Sequence, residues 1–300
     1  MSLTITLFLP VVLVVIMFSL GLGLVADDFA RLGRNPKAFA VGLLVQFLLI
    51  PLTAYVVAMT FALTPDMALG LMILSLCPGG PTANLMTRFS HGDVALSISL
   101  NGISTLAAVV TMPLLATFFV KHFLGAEAPE IQVTSLGLSM FAMTTIPVAA
   151  GMLVRRFAPG LTEILDPAIR KLSVLLLVAI VSAAIMVNWQ IFLATLPVLG
   201  PSVVALAVML LAGGLAVSAL TGLETAQATA ISTDAGIQNA ALGITVGALI
   251  AGPDAVVPVY SVPSGVYGVT MYLIVVPFMF WRRSLALANM ASQPTMRHAA

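Results

Sequence analysis

The sequence predicts an all-α polytopic membrane protein of nine transmembrane helices, two of them interrupted, lying in two oppositely oriented halves. Three observations carry this. Hydrophobic residues make up 60% of the 300-residue chain and charged ones 8%, with a mean hydropathy of +1.14, whereas soluble domains carry about 25% charged residues. Apolar runs of the ~20 residues needed to cross a bilayer recur along the whole length. All but one of the twelve lysines and arginines fall on connections that share one side.

Taken in order, the runs cover 3–25, 38–61, 67–89, 93–121, 132–153, 172–188, 191–220, 226–250 and 256–281. The first lacks a basic leader and a small-residue cleavage site, so it reads as a retained span rather than a signal peptide. The second carries Gln46 five residues before Pro51, a polar side chain amid leucines and valines. The third is broken by Cys77-Pro78-Gly79-Gly80-Pro81-Thr82-Ala83-Asn84. Its prolines remove amide donors and its glycines lower the cost of unusual dihedrals, so the helix should stop there and restart. The fourth places Ser97 and Asn101 one helical turn apart, on one face. The sixth is short, and the seventh has Pro201 as an alternative start. The eighth holds a second interruption, Ser232-Thr233-Asp234-Ala235-Gly236-Ile237-Gln238-Asn239. Residues 285–300 read as a mobile cytoplasmic tail.

Orientation follows from the cations. Arg31, Arg34, Lys37, Arg88, Arg155, Arg156, Arg170, Lys171, Arg282, Arg283 and Arg297 fall on one side and only Lys121 on the other. The positive-inside rule then places the N-terminus outside and the C-terminus in the cytoplasm. The third and eighth runs cross in opposite directions, and each is followed by one further span. Interrupted helices at corresponding positions of inverted halves mark a secondary transporter with its site near the midplane. The halves would be 1–125, with four spans, and 130–284, with five.

Several function classes drop out. One cysteine permits no intrachain disulfide, and Cys77, His91, His122 and His298 have no zinc-type spacing. No histidine lies inside a span, and neither an HExxH nor a GxSxG motif occurs, which argues against an intramembrane enzyme. Nothing points to nucleic acid. What remains is a broken backbone at membrane depth, tolerated only where it is buried in protein or lines a cavity. Thr82 and Asn84 would sit at a half-helix N-terminus, where free amides favour an anion. Asp234 is the acidic residue deepest in a span. A carboxylate there costs at least ~2.5 kcal/mol and is functional by default, here as a sodium or proton ligand. Gln238 and the carbonyls of Ala235 and Ile237 could add oxygens if the backbone opens near Gly236. Cys77 is open to two readings, soft-metal ligand or small packing residue.

Together and in this order, Met17-Phe18-Ser19-Leu20-Gly21-Leu22-Gly23-Leu24, Cys77-Pro78-Gly79-Gly80, Gly92-Asp93-Val94-Ala95-Leu96-Ser97 and Gly236-Ile237-Gln238-Asn239 resemble the bile acid:sodium symporter family, in its bacterial form. The resemblance implies ten helices in two inverted repeats, with a core containing two crossed broken helices and a panel that moves against it. On that pattern this chain lacks the family's first helix, and its fifth run is left without a partner. The resemblance further implies a sodium-coupled symporter importing an organic anion by alternating access, in a bacterial inner membrane, with one or two sodium ions as the coupling ions. The first sodium site would fall on Asn84, Ser97, Asn101 and Asp234. The second would fall on Gln46, Asp234, Gln238 and the carbonyls of Ala235 and Ile237. Thr82 and Asn239 would face the substrate. The chain departs from the family at Asp234, commonly glutamate, at Ala83, commonly serine, and at Asn101, commonly threonine. A proton-coupled or uncoupled anion carrier, or a metalloid exporter using Cys77, is the alternative on the same scaffold. Bile-acid-like anions and small carboxylates such as keto acids are both compatible with it.

Overall fold

Prolines and caps in the sequence set most of the helix boundaries. The computed structural model describes residues 2–25, 27–28, 35–252 and 258–292. Three of the orienting cations, Arg31, Arg34 and Arg297, lie outside them. The described residues are helical: α1 Ser2–Gly23, α2 Pro36–Thr60, α3 Pro65–Ser75, α4 Ala83–Phe89, α5 Val94–Leu124, α6 Val133–Phe157, α7 Pro159–Val187, α8 Trp189–Leu220, α9 Thr225–Gly236, α10 Ala240–Ala251 and α11 Val262–Ser292. Proline at the first helical turn, where its missing N–H costs nothing, opens α2, α3 and α7. Asp93 caps α5 by accepting from the Leu96 amide at 3.0 Å, and Glu224 with Gln227 forms a capping box on α9. Among the described residues six helices, α2, α5, α6, α7, α8 and α11, are long and apolar enough to cross a membrane, and Phe8–Gly23, Pro65–Ser75 and Ala240–Ala251 are shorter apolar helices.

Two boundaries differ from the sequence expectation. The run placed at 172–188 belongs to a helix that starts at Pro159. Its first half is polar, so hydropathy hides it, yet Asp166 and Arg170 are a helical i,i+4 ion pair at 2.7 Å. The last helix likewise continues to Ser292, past the residue chosen for the start of the tail. Pro197 and Pro201 sit inside α8 without ending it.

Pro51 and Pro147 are accommodated by the same device. The turns just before them, Val45–Leu49 and Phe141–Thr145, are π-helical, which widens the helix where the proline ring would strike the carbonyl four residues back.

Packing sorts the helices into two groups. One apolar cluster joins α2, α3, α8, α9 and α11 around Leu71, Leu210 and Tyr267. A second joins α1, α6 and α7 to the facing sides of α3, α5 and α10. The α1 and α6 backbones touch: a Cβ on Gly21 would strike the Val148 carbonyl, and one on Gly151 would strike the Phe18 carbonyl. Close approach through small residues is how helices associate where lipid supplies no hydrophobic drive.

Candidate functional site: the crossing of the two breaks

Helix α3 ends at Ser75 and α4 begins at Ala83; α9 ends at Gly236 and α10 begins at Ala240. The intervening segments meet as a short antiparallel bridge, Gly79 to Gln238. Gly80 N donates to Ile237 O at 2.9 Å and Asn239 N donates to Pro78 O at 3.1 Å. Each break thus satisfies backbone groups that the other has freed. Side chains complete the accounting: Gln46 Nε2 donates to Cys77 O at 2.8 Å, Tyr267 Oη to Gly236 O at 2.9 Å, and Gln238 Nε2 to Ala235 O at 2.9 Å. Buried backbone left without such partners would be strongly destabilising.

The glycines of the first break serve contact rather than torsion. Neither Gly79 nor Gly80 has a positive φ. A Cβ on Gly79 would collide with the Asn101 carboxamide, and one on Gly80 would lie 3.0 Å from Gln238 O.

Beneath the crossing lies a buried polar cluster. Ser97 Oγ is 2.7 Å from Asp234 Oδ1 and 2.8 Å from Asn84 Oδ1. Its single proton can serve only one of them at a time. Asn101 Nδ2 is 3.3 Å from Asp234 Oδ1 and 3.2 Å from Asn84 Oδ1. Thr87 Oγ1 donates to Ser97 Oγ at 3.4 Å. Asp234 Oδ2 is buried and has no partner among the described residues. The two Asp234 oxygens and Asn84 Oδ1 thus offer about six lone pairs to the three protons of Ser97 Oγ and Asn101 Nδ2, an arrangement that a cation would satisfy.

The structure brings Asn84, Ser97, Asn101 and Asp234 into this one hydrogen-bonded group. Gln46 and Gln238 are placed elsewhere on the crossing. Gln46 is tied to the first break and Gln238 to the second, and neither bonds directly to Asp234 among the described residues. Gln238 Oε1 is buried and unpartnered. The Ala235 and Ile237 carbonyls each already accept one bond, leaving one lone pair apiece. The sequence had Gln238 on the Asp234 face if the helix continued, but the helix ends at Gly236. Cys77 is fully buried, its Sγ directed at Ile73 O at 3.4 Å, as a packing residue. Thr87 was missed although it lies three residues after Asn84, one turn along the same helix face.

On the other side of the crossing a cavity of about 130 Å³ opens between the two helix groups. Thr82 and Asn239 both line it, with Asn84 and Gln238 of the crossing, Ile16, Ser19 and Leu20 of α1, and Tyr272 of α11. Thr82 Oγ1 pairs with Tyr272 Oη at 2.9 Å. Asn239 caps α10 by accepting from Leu242 N at 3.0 Å, while its Nδ2 is buried and unpartnered.

A model of the sodium bile acid symporter family matches residues 10–195. The chain belongs to that family. Members of the family are transporters, not enzymes. The relatives include a sodium-dependent transporter of Bacillus subtilis, uncharacterised, which is 36% identical over 134 residues, 45% of this chain and 42% of its own. A probable chloroplastic sodium/metabolite cotransporter of Oryza sativa is 38% identical over 120 residues, covering 40% and 29%. A sodium-dependent organic anion transporter of Rattus norvegicus is 35% identical over 143 residues, covering 48% and 39%. The chain spans less than half the length of these relatives.

Proposed function

We propose that this chain is a sodium-coupled symporter that imports an organic anion by alternating access. The observation that carries the reading is Asp234: a buried carboxylate with one oxygen unpartnered among the described residues, in a polar cluster whose Asn84 also lines the cavity at the crossing. The relatives' sodium dependence supports it.

In this reading the chain has nine spans in two inverted repeats, 1–125 and 130–284. Helices α2, α3–α4, α5, α8, α9–α10 and α11 form the core, and α1, α6 and α7 the moving panel. The two apolar clusters support that division. One sodium ion is held by Asn84, Ser97, Asn101 and Asp234. A second, if carried, takes Gln46, Asp234, Gln238 and the carbonyls of Ala235 and Ile237. Thr82 and Asn239 face the substrate. The protein sits in a bacterial inner membrane with its C-terminus in the cytoplasm.

Sodium at Asp234 would fix the crossing in the geometry that accepts the anion, so sodium raises anion affinity and, by linkage, the anion raises sodium affinity. Proteoliposomes with an imposed sodium gradient and a set membrane potential test this, with labelled pyruvate and taurocholate as probes. Two sodium ions with one monoanion move a net positive charge, worth about 2.3 kcal/mol per 100 mV, so uptake should rise with inside-negative potential. Uptake that follows sodium but ignores voltage means one ion. Uptake of either probe without sodium rules out the coupling.

A further inference from the structure

Among the described residues the cavity at the crossing has one charged residue in its wall, Arg170 of α7. In the sequence Arg170 reads only as one of the orienting cations on a connection. Its guanidinium is held by Asp166 through two bonds from Nη2, at 2.7 and 3.0 Å, with the Arg170 side chain 54% exposed. An ion pair that exposed contributes little, so a competing anion can take the guanidinium at little cost. Ser173, one turn on, is buried with its Oγ unpartnered and also lines the cavity. Opposite them is the buried, unpartnered Asn239 Nδ2. Between the two polar walls lie Ile16, Leu20, Val174 and Leu177.

We propose that Arg170 is the charge partner of the transported anion. The substrate is then an organic anion with an apolar body, its carboxylate or sulfonate drawn to the α7 wall and Asp166 holding the guanidinium until it arrives. This rests on the reading of the cavity as a substrate site, and it adds a specificity-determining residue from the panel to the polar groups of the crossing. An arginine suits the task because its planar fork pairs a carboxylate bidentately.

The test needs neither sodium coupling nor a known substrate. Val174 is 46% exposed, lines the cavity and lies one turn from Arg170, while the native Cys77 is 0% exposed, and the cysteine of the unsubstituted chain serves as the background rate. In Val174→Cys, the rates of modification by anionic sulfonatoethyl and cationic trimethylammonioethyl methanethiosulfonate are compared in nonionic detergent. The anionic reagent should be favoured, and adding Arg170→Gln should reduce the anionic-to-cationic ratio about tenfold, as expected for one nearby charge at intermediate dielectric. Arg170→Lys should keep most of the preference, and Asp166→Asn should raise it. A ratio that Arg170→Gln leaves within twofold overturns the proposal. The effect of Arg170→Gln on the ratio, compared in phosphatidylglycerol and in phosphatidylcholine vesicles, separates substrate from lipid, because the surface potential acts on both backgrounds alike: an effect lost only in the anionic lipid would mean that headgroup phosphates occupy Arg170, which also overturns it. Failure of sodium-driven uptake with the labelling preference intact would instead count against the transport reading alone.

Discussion

The two breaks at the centre of this molecule look equivalent in outline and differ in how they are built. The first, between Ser75 and Ala83, is made by covalent geometry: two prolines without amide donors, and two glycines whose missing Cβ atoms let Asn101 and Gln238 O approach. The second, between Gly236 and Ala240, is made by side chains: Tyr267 on the last carbonyl, Gln238 on Ala235 O, and Asn239 capping the restart. The first break supplies shape and the second supplies charge. Each is incomplete alone, since Pro78 O and Ile237 O find their donors only across the crossing.

The sharpest way to break this division is at the charge. Asp234→Asn keeps size and an acceptor for Ser97 and Asn101 but removes the charge. If sodium at 100 times its Kd stabilises the wild type by about 2.7 kcal/mol, the variant should lose nearly all of that increment. Thermal unfolding in sodium against choline chloride reads it. Asn84→Ala, the matching change at the first break, should weaken sodium about tenfold without abolishing it, as expected for one neutral oxygen removed at about 1.4 kcal/mol. Equal losses in the two variants would mean that charge and shape are not divided in this way.

Next comes the shape. Gly79→Ala adds one methyl against the Asn101 carboxamide, and overpacking of a tight interior costs about 1–3 kcal/mol. The same displacement should pull Asn101 from Asp234, so the melting temperature and the sodium increment should fall together. Gly236→Ala is the control at the second break. Its Cβ would meet Leu211 Cδ2 and Cγ, apolar atoms outside the Asp234 cluster, so the melting temperature should fall there while the sodium increment holds.

The first break was legible in the sequence because proline and glycine act locally, and Cys77 through Asn84 announces a stop wherever it is placed. The second was legible mainly through Asp234, whose burial needs explaining in any span. What could not be read is what the crossing does at long range. Gln46 donating to Cys77 O, Tyr267 to Gly236 O and the exchange of amides between the breaks join residues far apart in the chain. Single-sequence periodicity carries no signal for such pairs. The start of α7 was hidden for a different reason: charged residues lower hydropathy even when, as with Asp166 and Arg170, they support a helix.

The caps give a finer comparison. Asn239→Ala removes the side-chain acceptor at Leu242 N and should cost about 1 kcal/mol. It should also raise the KM for the anion, because Asn239 lines the cavity. Asn239→Asp keeps the cap but puts a negative charge in the wall. Stability restored together with a still higher KM would separate the two roles, read from melting curves and sodium-driven uptake.

The smallest effect is expected at Thr82, which stands where Asn239 stands but does not cap. No side-chain bond to α4 is made; its hydroxyl pairs instead with Tyr272 of α11 at 2.9 Å. The first half-helix is thus anchored by tertiary contact and the second by a local one. A side-chain hydrogen bond between membrane helices is worth about 0.6 kcal/mol on average, because the partners find other acceptors when it is lost. Thr82→Val and Tyr272→Phe should each shift unfolding slightly, and a double-mutant cycle should return a coupling near that value. Because a tertiary anchor moves with α11 while a cap moves with its own helix, the coupling should also change when sodium is replaced by choline, whereas the Asn239 cap should not. A coupling indifferent to sodium would mean that Tyr272 and Thr82 stay fixed together through the cycle, and that the first break is as rigid as the second.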